Sequence, residues 1–122
     1  MTGKPSRVLI IDDYPQILRF VEICLRSRGY EVVTASSGKE ALDLLGARPP
    51  DVIVLDIRMP DMDGFQFMDC ARELGSWPVI AYSATPEYGE EALKSGACVF
   101  LRKPLDLTQL IEELELLTDG GH

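Results

Sequence analysis

The stretch Asp51-Val52-Ile53-Val54-Leu55-Asp56-Ile57-Arg58-Met59-Pro60-Asp61-Met62-Asp63-Gly64 decides how this chain folds. Val52–Leu55 is a short, largely β-branched apolar run with no polar alternation, and it reads as a strand covered on both faces. Three more runs of the same kind are Val8–Ile11, Val79–Tyr82 and Cys98–Leu101. A weaker one, Glu31–Ala35, contains Val32 and Val33.

Helical patterns fill the intervals. Ile17, Leu18, Val21 and Leu25 share one face, as do Ala41, Leu42 and Leu45, and later Leu107, Leu110, Ile111, Leu114 and Leu117. Ser37 with Glu40 reads as a capping box, and Asp106 with Gln109 as a related cap. Gly29, Gly46, Gly75 and Gly96 each stand where a left-handed glycine would end a helix. Five βα units follow, which predicts an α/β, doubly wound (βα)5 fold with a five-stranded parallel sheet. Ligands of such sheets bind beyond the carboxyl ends of the strands.

With 122 residues the chain fits a single domain, 1–122, with a core over roughly 7–117. The 46% hydrophobic content supports a folded globule. A net charge of -8 argues against direct nucleic acid binding. The apolar runs are too short for membrane insertion, and the polar start Met1–Ser6 does not resemble a signal peptide. Cys24, Cys70 and Cys98 are odd in number and widely spaced, so they read as small buried hydrophobes in a reducing compartment. The sole histidine, His122, is terminal, so no histidine-based triad or phosphocarrier can be built.

The chemistry-bearing residues fall at the strand ends. Asp12 and Asp13 follow the first strand, Asp56 the third, Ser83 and Ala84 the fourth, and Lys103 and Pro104 the fifth. Carboxylates brought together repel one another unless a cation joins them. Oxygen-only ligands suit Mg²⁺ better than zinc. A carboxylate beside such an ion and an ammonium is placed to attack phosphorus. Each residue also has a simpler explanation. Asp13 could cap the first helix at Pro15, and Asp12 could be a solvated loop charge. Asp56, Ser83 and Lys103 could mark a polar strand end, a turn before Pro86 and a surface charge. Their coincidence at four strand ends favours the site over the separate explanations.

These landmarks resemble the response-regulator receiver family: Asp12-Asp13, the run Leu55–Gly64 around Asp56, Ser83-Ala84 and Lys103-Pro104, in order, across roughly Arg7 to Leu117. The resemblance implies a flavodoxin-like strand order 2-1-3-4-5. It also implies that Asp56 is the phosphoacceptor. Asp13 would ligate Mg²⁺ directly, Asp12 through a water, and the Arg58 backbone carbonyl would be a further ligand. Lys103 and Ser83 would bind phosphoryl oxygens, with the Ala84 amide assisting, and the Lys103–Pro104 bond would be cis. Ser83 and Phe100 would be the switch residues. The implied donor is a histidine kinase or phosphotransfer protein. The implied reader is a downstream protein or a fused output domain, in the cytoplasm. Such a chain is not an enzyme; it catalyses only its own phosphorylation and dephosphorylation.

Three features depart from the family pattern. Gly96 follows Ser83 by 13 positions, which predicts a short fourth helix over Tyr88–Ser95. The last helix carries Glu112, Glu113 and Glu115 and no basic residue, unlike the paired arginines and acids of winged-helix regulators that dimerise there. Arg58 and Thr85 each stand two after a site residue, where the family tunes phosphoryl lifetime. Two other functions were weighed. A haloacid-dehalogenase-type phosphatase needs an Asp-x-Asp after the first strand, but position 14 is Tyr14. A binding module that has abandoned phosphate sits poorly with Asp13, Asp56 and Lys103 all in place.

Overall fold

The computed structural model describes residues 6–118; residues 1–5 and 119–122, the terminal His122 among them, lie outside the described residues. In chain order the elements are β1 (Arg7–Ile11), α1 (Pro15–Ser27), β2 (Glu31–Ala35), α2 (Gly38–Ala47), β3 (Val52–Asp56), α3 (Gly64–Arg72), β4 (Val79–Ser83), α4 (Tyr88–Lys94), β5 (Val99–Arg102) and α5 (Leu107–Leu117). All strand pairs are parallel, in the order β2-β1-β3-β4-β5. This is the flavodoxin-like order that the family resemblance implied.

Strand alternation splits the apolar residues between two cores. Leu9, Ile11, Ile53 and Leu55 join Phe67 and Met68 beneath α2, α3 and α4. Val8, Ile10, Val52 and Val54 join Val21, Leu25, Leu110 and Leu114 beneath α1 and α5. A sheet covered on both faces explains why β3 and β4 are buried throughout.

The helix starts follow local chemistry. Ser37 accepts the Glu40 amide, while the Glu40 carboxylate reaches back to the Ser36 amide rather than to Ser37 itself. Asp63 and Gln66 form the full reciprocal box at α3, which the sequence reading had not singled out. Asp106 accepts from the Thr108 and Gln109 amides. The helix α4 is short, as Gly96 predicted.

Two expectations need correction. Gly29 and Gly96 do turn left-handed, at φ 93° and 113°, but Gly46 lies inside α2 and Gly75 has no positive φ. A Cβ on Gly75 would come within 2.8 Å of the Trp77 ring, so its smallness serves packing. The cysteines are free but not buried as a group: Cys70 and Cys98 are exposed and Cys24 is half-buried. Cys98, read as the first residue of the last apolar run, lies just ahead of β5, and Cys24 and Cys70 sit on α1 and α3.

The β3–α3 connection is shaped by close approach. The Met62 amide donates to the Pro60 carbonyl across Asp61, which takes φ 68°. An i-to-i+2 bond around a left-handed residue is a strained turn. The Gly64 amide then donates to the Ile57 carbonyl at 2.8 Å. A Cβ on Gly64 would lie 2.8 Å from the Ile57 Cα and 3.1 Å from the Asp56 carbonyl oxygen. Gly64→Ala is expected to cost roughly 1–3 kcal/mol, because backbone rather than a flexible side chain must move. Urea unfolding checks this, and an unchanged midpoint would show that the loop yields freely.

Candidate functional site

Parallel strands deliver their carboxyl ends to one edge of the sheet, and the polar residues meet there. The Asp12 amide extends the β1–β2 ladder by donating to the Ala35 carbonyl at 3.2 Å, which turns Asp12 inward. Asp12 is wholly buried and Asp56 is 1% exposed. A solvated loop charge is therefore the wrong description of Asp12. Asp13 does not cap α1 either: the N-cap is Tyr14, without a side-chain bond. Asp13 instead buries an Oδ1 that has no hydrogen-bond partner.

The carboxylates of Asp12, Asp13 and Asp56 offer oxygens within 4.8 Å of one another. The Lys103 ammonium stands among them, donating to Asp56 Oδ2 at 3.3 Å and lying 3.7 Å from Asp12 Oδ2. Asp56 Oδ1 accepts the Arg58 amide at 3.2 Å. Buried Ser83 uses its Oγ to accept the Thr85 amide at 3.1 Å, and its carbonyl accepts the Lys103 amide at 3.0 Å. The Lys103–Pro104 bond is cis, as the resemblance implied.

These groups face a cleft of about 620 Å³, lined also by Ala84, Thr85, Met59, Phe65 and Tyr88. Phe65 and Tyr88 meet edge to face at 5.5 Å. Arg58 lines the cleft with an exposed side chain and makes no ion pair among the described residues. Phe100 does not line it. Phe100 is half-buried on the α4 side of the sheet, where its ring would touch a Cβ placed on Gly89 of α4 at 3.1 Å.

Sequence reasoning missed Tyr82. It was counted within an apolar run, yet its buried hydroxyl donates to Asp12 Oδ2. A tyrosine near the end of a covered strand is itself a signal, because a buried phenol needs a partner.

Burial, then the neighbouring Asp12 charge, push the Asp56 carboxyl up to about 7 against the pull of Lys103 and the Arg58 amide. Burial and Asp12 also hold the Tyr82 phenol far above its ordinary range, so it remains a donor. Three carboxylates share one ammonium, and one buried carboxylate oxygen has no partner. The residues therefore fit a hard divalent cation that prefers oxygen ligands.

The comparisons agree with this geometry. The model of the response regulator receiver domain family matches residues 8–115. The transcriptional regulatory protein KdpE of Mycobacterium tuberculosis is 41% identical over 109 residues, covering 88% of this chain and 48% of that protein. GlrR of Escherichia coli is 36% identical over 119 residues, covering 94% of this chain and 27% of that protein. The chain thus spans about half or less of the length of these relatives. Among solved structures, the receiver domain of the Francisella response regulator 1452 superimposes with a TM-score of 0.88 at 34% identity, covering 96% and 99% of the two chains. The chemotaxis protein CheY4 of Vibrio cholerae gives 0.86 at 33% identity, covering 93% and 98%. With fold, site and sequence in agreement, this chain belongs to the response regulator receiver domain family of two-component systems.

Proposed function

We propose that this chain is a phosphorylation switch that accepts a phosphoryl group on Asp56 from a phosphohistidine of a histidine kinase or phosphotransfer protein. The observation that carries this reading is the buried Asp56 carboxylate, 3.3 Å from the Lys103 ammonium and beside Asp12 and Asp13 at the mouth of an open cleft. Asp12, Asp13 and Asp56, with the Arg58 carbonyl, would hold Mg²⁺, which when bound neutralises charge on the transferring group.

The chain's own residues do the rest. An Asp56 oxygen bonds to phosphorus as the P–N bond breaks, and the electron pair leaves on the donor imidazole. Lys103 offers its ammonium to a phosphoryl oxygen. Ser83 accepts the Thr85 amide and keeps its hydroxyl proton for another oxygen, with the Ala84 amide alongside. Those bonds exist only in the phosphorylated form, so they favour one arrangement of the β4–α4 loop over another. Phe100 lies against Gly89 at the start of α4, so a displaced loop is felt at its ring.

The chain turns over no external substrate and is a switch rather than an enzyme. Its reader is a downstream protein or a fused output domain, and the net charge of -8 disfavours nucleic acid contact by the chain itself. No helix among the described residues is long and apolar enough to cross a membrane. A two-component receiver of this kind acts in the cytoplasm.

Intact mass after incubation with acetyl phosphate tests the chemistry. One Mg²⁺-dependent phosphoryl adduct is expected on the wild type and none on Asp56→Asn. Failure to form the adduct, together with failure to bind beryllofluoride, would refute the reading.

The raised Asp56 carboxyl also predicts a pH dependence in chelator. The folded protein holds the Asp56 proton more tightly than the unfolded chain does. Its stabilising contribution is therefore complete below the unfolded value of 3.8 and is lost as pH rises through about 7. Asp56→Asn has no such loss and is expected to exceed the wild type by on the order of 3 kcal/mol at pH 8. Thermal melts from pH 5 to pH 8 check this; parallel curves for the two proteins would contradict it.

A further inference from the structure

We propose that Tyr82 is a positioning residue that keeps the Asp12–Lys103 ion pair from tightening into a direct hydrogen bond, and that it thereby holds the carboxylate cluster open to a divalent cation. The proposal rests on the reading of the cluster as a cation-assisted phosphorylation site.

Tyr82 is the next-to-last residue of β4 and is wholly buried. Its hydroxyl donates to Asp12 Oδ2, the same oxygen that lies 3.7 Å from the Lys103 nitrogen. Its ring lies 5.2 Å from that nitrogen, and Tyr14 lies 5.5 Å from it on another side. Lys103 thus lies over two aromatic faces, close enough for cation–π attraction. Asp12 Oδ1 is already occupied by the Tyr14 amide at 2.9 Å. The phenol therefore completes the hydrogen bonding of Asp12, and the ring holds Lys103 near Asp56, from which it is 3.3 Å away.

Without the hydroxyl, Asp12 Oδ2 would be a buried anionic oxygen lacking its phenol donor. The nearest replacement is Lys103, which needs to close less than an ångström to form a direct hydrogen bond. The tightened pair would draw Lys103 from Asp56 toward Asp12 and compete with a cation for that carboxylate. Both changes weaken attraction for a cation. A tyrosine kept only for packing would be replaced by phenylalanine without such an effect.

The test is a Mg²⁺ titration of wild type and Tyr82→Phe, followed by amide chemical shifts, which report the folded molecules alone. The Phe variant is expected to bind Mg²⁺ on the order of tenfold more weakly. Its acetyl phosphate reaction at saturating Mg²⁺ should be slower. In a Lys103→Ala background the same substitution should change Mg²⁺ affinity by less than about twofold, because the competing pair cannot form. Unchanged or tighter binding in Tyr82→Phe would overturn the proposal, even if melting temperature fell. So would a tenfold loss that persists without Lys103. Failure of the wild type both to accept phosphate and to bind beryllofluoride would instead refute the phosphorylation reading, and the affinity comparison would still decide the role of Tyr82.

Discussion

Asp12 and Asp56 are almost entirely shielded from water, and both point at the same few ångströms as Asp13. Burying like charges together is costly unless each finds donors or a counter-charge. The fold supplies these one at a time. The Tyr14 amide and the Tyr82 phenol serve Asp12, and the Arg58 amide and Lys103 serve Asp56. Asp13 is left with an unpaired oxygen. Compensation is therefore incomplete, and Asp56 holds its proton to about pH 7. A site left short of positive charge in this way is prepared to receive it.

That arrangement depends on the sheet being parallel and covered on both faces. Parallel strands place the ends of β1, β3, β4 and β5 along one edge, so residues far apart in sequence become neighbours. The two apolar cores fix strand register, and register fixes which residue stands last. The loop after Asp56 is equally constrained. The left-handed Asp61 and the close passage of Gly64 against Ile57 return the chain into α3 without closing over the carboxylate. The Asp63–Gln66 box then fixes where that helix begins.

The surface that a partner meets is less regular. The helix α4 has no side-chain cap; its first turn is held by the Tyr88 and Gly89 amides donating to the Thr85 and Pro86 carbonyls and by Gly89 against the Phe100 ring. At its far end Arg72 of α3 donates to the Ser95 carbonyl at 2.5 Å. The start of α4 is the end at the cleft, which Thr85 and Tyr88 line. The α5 helix buries Leu110, Ile111 and Leu114 and turns Glu112, Glu115 and Leu116 outward. Its outer face is acidic and without a basic residue, so two copies apposed through it would repel.

Much of this was visible in the residues alone. Short apolar runs and 3.6-residue periodicity determined the βα alternation, because burial on one or both faces is imposed by side-chain chemistry. Asp12, Asp13, Asp56, Ser83 and Lys103 were legible because each is the first or second residue after such a run. Strand order entered only through family resemblance, since periodicity carries no information about which strand lies beside which. The tertiary structure alone decided that Asp13 leaves α1 uncapped, that Cys70 and Cys98 face outward, and that Gly46 continues a helix. It also decided that Tyr82, 70 residues beyond Asp12, donates to its carboxylate. A local pattern shows that a side chain is buried; only the packed sheet determines which distant group it is buried against.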